Sequence, residues 1–174
     1  MRIKRLAKTH LNRLNEIDRT ERIRILFTYK EGELEEERVA YKVPPWSDEK
    51  VHSLIDLVRP ELDKGGVLFG ALDGEKLAGV AVLGNRPICG DDGMLQFVLL
   101  HVSEGCRRMG VATKLAGKVI KTAKERGAKR LYISATPSDS ALGFYFSLGA
   151  KLAPKVDKEL YELEPEDIHL VLDL

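Results

Sequence analysis

The residues with the clearest chemical purpose are Arg107, Arg108, Gly110 and Ala112, in the run Val102-Ser-Glu-Gly-Cys106-Arg107-Arg108-Met109-Gly110-Val111-Ala112-Thr113. Backbone N–H groups at the start of a helix, together with the positive end of its dipole, form a site for a pyrophosphate. Gly110 and Ala112 carry little or no side chain, so phosphate oxygens can approach the main chain closely, and the two arginines add charge. Taken alone, Arg-x-x-Gly-x-Ala is a short pattern; its meaning depends on lying between a strand and a helix. Cys106, beside the arginines, is a candidate nucleophile or redox sensor, but no partner histidine is indicated by spacing, so it reads as passive. The glutamates at 31, 33, 35, 36 and 37 can attract a cationic amine or simply be solvated. His10, His52 and His169 lack ligand-like spacing, and no metal is expected.

The elements that must position this run can be read from periodicity. Residues 1–5 read as a strand, followed by a helix from about Thr9 to Ile23 on which Leu11, Leu14, Ile17 and Glu21 recur at helical spacing. Leu26 to Val43 reads as a hairpin around Gly32, ended by Pro44-Pro45. Ser47 caps a second helix, striped by Val51, Leu54, Ile55 and Val58, up to Pro60, with Gly65-Gly66 closing it. A second hairpin flanks Asp73-Gly74. Met94 to Val102 is the most apolar run and predicts a central strand. Gly110 to Arg126 is an amphipathic helix stopped by Gly127, and Leu131 to Ala135 is a strand parallel to the central one, because a helix connects them. Pro137 to Leu148 predicts a short helix, and two further strands are expected near Leu160 to Leu163 and His169 to Leu172.

Composition excludes several classes. The 174 residues are 44% hydrophobic and 32% charged, enough for one ordinary core and short for two, so a single domain over 1–174 is expected. The 28 basic and 27 acidic residues nearly cancel, so no global field draws the chain to nucleic acid or an anionic membrane. Cys89 and Cys106 are too few and too far apart for a disulfide scaffold, the basic start has no apolar run behind it, and a cytoplasmic protein is expected.

The phosphate run resembles the cofactor signature of the GCN5-related N-acetyltransferase (GNAT) family, Gln/Arg-x-x-Gly-x-Gly/Ala, met here as Arg107-Arg108-Met109-Gly110-Val111-Ala112. Upstream, Leu100-His101-Val102 matches the family's central strand. Downstream, Ala141-Leu-Gly-Phe144-Tyr145-Phe-Ser-Leu-Gly149 resembles its second motif. The likeness spans about residues 67–152, the expected cofactor-binding core, with a variable acceptor-side region over about 9–66. Two positions depart from the pattern: Ser138 replaces the frequent asparagine seven residues before the tyrosine, and Gly149-Ala150 replaces a glycine-aromatic pair.

The resemblance implies an α/β (α+β) fold, with a mixed, mostly antiparallel sheet, a splayed parallel pair and flanking helices. It implies acetyl-CoA as acyl donor, held by the backbone at Leu100 and Val102, by residues Arg107 to Thr113, by Ser138 and by Tyr145. Tyr145 resembles the family tyrosine beside the thioester sulfur, where a phenol can protonate the leaving thiolate. His101 titrates in the right range for a general base but equally suits a core position, and Glu21 is the alternative base or ammonium anchor, or else a surface charge. The expected activity is N-acetylation of a small-molecule amine. A protein acceptor and a non-catalytic acyl-CoA sensor are the alternatives, and the resemblance leaves a homodimer possible, since family members often dimerise.

Overall fold

The computed structural model describes all 174 residues. A seven-stranded sheet has the order β1-β4-β5-β6-β7-β9-β8, built from β1 (Arg2–Leu6), β4 (Val67–Asp73), β5 (Lys76–Ile88), β6 (Asp91–Val102), β7 (Arg130–Ala135), β8 (Lys151–Leu152) and β9 (Ile168–Asp173). All neighbours are antiparallel except β6 and β7. A separate two-stranded ribbon joins β2 (Glu21–Lys30) to β3 (Glu33–Val43). The helices are α1 (Asp48–Asp63), α2 (Val111–Glu125), α3 (Asp139–Ser147) and α4 (Lys158–Leu163). None is long and apolar enough to cross a membrane.

Strands β4 and β5 are apolar on both sides because both faces of the sheet are covered. On one face, Val51, Leu54, Ile55 and Val58 of α1 join Leu11 and Leu14 against Leu68, Val80, Val82 and Leu99. On the other, Leu115, Ala116 and Val119 of α2 and Leu142 and Tyr145 of α3 pack on Ala81, Leu83, Phe97, Leu131 and Ile133. The central parallel pair is short. Only Met94–Gln96 of β6 pair with Arg130–Tyr132 of β7. Beyond them β6 runs on along β5 alone, while β7 runs along β9, so the sheet opens.

Five expectations are corrected. The helix foreseen from Thr9 to Ile23 is a run of 3-10 turns over Lys8–Glu16, and Glu21 lies on β2. Asp18 turns the chain there by accepting from the Thr20 N–H at 3.0 Å, and the β-branched and aromatic residues Ile23, Ile25, Phe27, Thr28 and Tyr29 favour a strand. The hairpin therefore begins at Glu21 and not at Leu26. The strand foreseen near Leu160 to Leu163 is α4, which Asp157 caps by accepting from the Leu160 N–H at 3.2 Å. In the second hairpin Asp73 pairs with Lys76, so the turn is Gly74-Glu75, with the positive φ of +59° at Gly74. Helix α1 also runs through Pro60 to Asp63.

Candidate active site

The opening of the sheet lies in a cleft of about 1340 Å³ lined by residues from both faces. Its first wall is the exposed half of β6. Val82 pairs with Leu99 and Leu83 with Phe97, so Val98 is an extra residue, a β-bulge that re-aims the strand at the point where β7 leaves it. Ala81, Val80 and Gly79 then pair with Leu100, His101 and Val102. No strand faces the other edge of β6 over this stretch, so alternate backbone groups there are open to a ligand that adds like a strand.

On the α2 face the phosphate run stands at the mouth of the cleft. Gly110 is the N-cap of α2 in a left-handed conformation, φ +73°, and no side chain caps the first turn. The N–H groups of that first turn have no side-chain partner, and a Cβ placed on Gly110 would meet nothing within 4 Å. That open cradle with a positive dipole end fits a pyrophosphate. Arg108 and Met109 are exposed, and Arg108 lines the cleft in a left-handed conformation, φ +59°. Val111 is buried beneath the turn, while Thr113 is exposed and Ala112 lines the cleft. Arg107 is committed to the chain: its Nε donates to the Val102 carbonyl at 3.0 Å and its Nη2 to the Arg19 carbonyl at 3.4 Å. It fixes the loop shape as well as adding charge.

Tyr145 lines the cleft from α3, with its ring edge-on to Phe97 at 5.9 Å and to Phe144 at 5.4 Å. Burial, helped by the charge of Asp167, raises its phenol above the ordinary value, so it carries its proton at neutral pH. Ser138 is only 1% exposed and caps α3, accepting from the Ala141 N–H at 3.3 Å. The ribbon is pinned beside it, because the Phe27 N–H donates to the Pro137 carbonyl at 2.9 Å and Leu26 bridges to Ser138.

His101 and Glu21 lie in the same cleft but are constrained. His101 meets Trp46 edge-on with ring centroids 4.7 Å apart. Burial, with the charges of Arg19, Arg107 and Lys50, lowers its pKa to about 3, leaving a neutral imidazole. Glu21 is buried, pairs with Arg19 at 2.5 Å and accepts a hydrogen bond from Ser140. Both of its oxygens are thus occupied by the protein.

Ser134, Glu164 and Asp167 are among the cleft residues that went unremarked in the sequence. The Ser134 hydroxyl donates to Asp167 Oδ2 at 2.9 Å. Their only sequence signal is the acidic run Glu164-Pro-Glu-Asp167 before the last strand, which reads as a solvated loop until Ala135 is paired with Ile168. No group of three or more His, Cys, Asp or Glu side chains is placed to hold a metal.

A family model described as the acetyltransferase (GNAT) family matches residues 32–150. The chain belongs to this family. None of the curated proteins gives a significant match. Among solved structures, nourseothricin acetyltransferase superposes with a TM-score of 0.72 at 20% identity, covering 99% of this chain and 97% of that one. A protein described as a streptothricin acetyltransferase from Bacillus anthracis str. Ames, solved with acetyl coenzyme A, gives 0.73 at 19% identity, covering 99% and 98%. The PaiA N-acetyltransferase from Thermoplasma acidophilum, solved with coenzyme A, gives 0.64 at 15%, covering 99% and 98%. At such identities the likeness is one of fold, and it extends over the region preceding the cofactor core as well as the core itself. The GNAT acetyltransferase assignment thus rests on the family match, and the open parallel pair is the feature of the fold that the site uses.

Proposed function

We propose that the protein transfers the acetyl group of acetyl-CoA to a primary amine of a small molecule. The observation that carries this reading is the split between β6 and β7, which joins an uncapped helix N-terminus on one face to a pocket holding Trp46, His101 and Asp167 on the other. In this reading the pyrophosphate lies against Gly110 to Thr113, with Arg108 beside it. The pantetheine arm extends along the open edge of β6, and the thioester sits at the bulge near Tyr145. Backbone N–H groups of β6 polarise the thioester carbonyl as charge develops on its oxygen. Tyr145, kept protonated by burial, donates to the departing thiolate.

The ribbon supports a small acceptor. Its attachment to Pro137 and Ser138 carries Arg22 and Arg24 over the cleft and narrows the approach that a polypeptide acceptor needs. The neighbours described as nourseothricin and streptothricin acetyltransferases, which match over nearly the whole chain, point the same way.

Calorimetric titration with acetyl-CoA, followed by a thiol-release screen over amino acids, polyamines and streptothricin-type amines, tests this. Saturable binding with thiol release on one amine class is expected. Binding without release on any of them would remove the small-molecule acceptor, and no binding would remove the donor.

A further inference from the structure

The reaction proposed above, on which this inference rests, needs a group that takes a proton from the incoming ammonium. An imidazole with a pKa of about 3 is far too weak, and the Glu21 carboxylate is occupied by Arg19 and Ser140. A third group lies in the same cleft and is not occupied in this way. Leu131, Ile133 and Ala135 of β7 face the α2 core, so Ser134, between them, faces the other side of the sheet. His101 pairs with Val80, whose side chain belongs to the α1 core, and packs on Trp46 just before α1. Ser134 and His101 therefore stand on the same face of the sheet, on the two strands that part from each other. Asp167 is bound to Ser134 and lines that side of the cleft, close enough to Tyr145 to raise its pKa. None of the ion pairs formed by lysine or arginine includes Asp167.

We propose that Asp167, oriented by Ser134, accepts the proton of the acceptor's ammonium group. The ammonium gives one proton to the carboxylate, leaving a carboxylic acid and a neutral amine. The amine lone pair forms the C–N bond to the thioester carbon, and the C–S bond breaks with its electron pair leaving on sulfur. Tyr145 protonates that thiolate, and the second proton lost by nitrogen restores the phenol. Asp167 returns its proton to water, so ammonium and thioester become amide, thiol and one proton.

The groups around Asp167 suit this role. Glu164 approaches from the end of α4, Lys50 from α1, Tyr145 from α3 and Ser134 from β7, while Arg22 and Arg24 of β2 line the same cleft. Burial and the Glu164 carboxyl together outweigh Ser134 and Lys50, and they raise Asp167 to about 7. A base half ionised near neutrality is well matched to a proton transfer at that pH.

Two measurements decide the matter. In a ¹³C NMR titration of the side-chain carboxyls, with Asp167→Asn as the assigning variant, one signal titrating near 7 should vanish in the variant. An Asp167 signal titrating near the ordinary 3.8 overturns the proposal. In thiol release from acetyl-CoA with spermidine as the amine, Asp167→Asn should lower kcat about 10²-fold and remove the acid limb of its pH profile. Acetyl-CoA affinity by calorimetry should be unchanged. Ser134→Ala should keep that limb and move its midpoint upward, since the lost hydrogen bond favoured the carboxylate. An undiminished kcat, or an acid limb retained in Asp167→Asn, overturns the proposal. Failure of the wild-type protein to bind acetyl-CoA would instead remove the reading on which it rests, and the carboxyl titration remains readable on the free protein.

Discussion

At the residue scale, the division of labour in the cleft follows from what each side chain is already bound to. Tyr145 is buried among Phe97, Phe144 and the α2 core, which raises its phenol above the ordinary value and keeps it protonated at neutral pH. Tyr145→Phe keeps the ring packing and removes only the O–H. Its kcat should fall on the order of 10²-fold with little change in acetyl-CoA affinity, as seen by steady-state thiol release beside calorimetry. A loss confined to affinity would make the hydroxyl a binding group. The same reasoning separates the two arginines. Arg107 spends its donors on two backbone carbonyls, whereas Arg108 remains free at the mouth of the cleft.

At the element scale, the start of α2 is where sequence and geometry agree most closely. Gly110 has φ +73° and its first turn is uncapped, so the position needs glycine for conformation and for access. Gly110→Val should weaken acetyl-CoA binding at least tenfold by calorimetry, because a branched Cβ would stand where the proposed site brings the phosphates. The left-handed backbone should add about 1–2 kcal/mol of destabilisation in a denaturant titration. Full affinity would place the phosphates elsewhere. This element was legible because strand, glycine and amphipathic helix follow one another within a few residues. The ribbon was legible only in part: Gly32 marked its turn, but Leu11, Leu14, Ile17 and Glu21 happen to share helical spacing across a boundary that Asp18 creates with a local hydrogen bond. The acceptor side was least legible. Ser134 and Asp167, the outermost of the three with Glu164, are 33 residues apart, and only the β7–β9 pairing brings them together. Long-range pairing leaves no local periodicity to read.

At the scale of the whole molecule, the titratable groups of the cleft tie stability to pH. Asp167 is held at about 7 by burial and by Glu164, while an unfolded chain would titrate it at 3.8. Between those two values the folded state binds the extra proton, so this residue's contribution to stability falls as pH rises from 3.8 to about 7 and stays low above it. His101 acts in the opposite direction. Its folded value of about 3 lies below the ordinary 6.5, so the unfolded state binds the extra proton and stability falls as pH drops through that interval. The two slopes oppose each other over the range from 3.8 to 6.5. Asp167→Asn removes one of them. Urea titrations of the variant and the wild-type protein should show the variant more stable at pH 8, with the advantage shrinking steadily as the pH is lowered from 7 towards 4. The variant should also lose stability more steeply than the wild type on acidification, since the histidine slope is left unopposed. A difference that does not change with pH would mean that the Asp167 carboxyl titrates alike in both states, and the raised value that suits it to proton transfer would be absent.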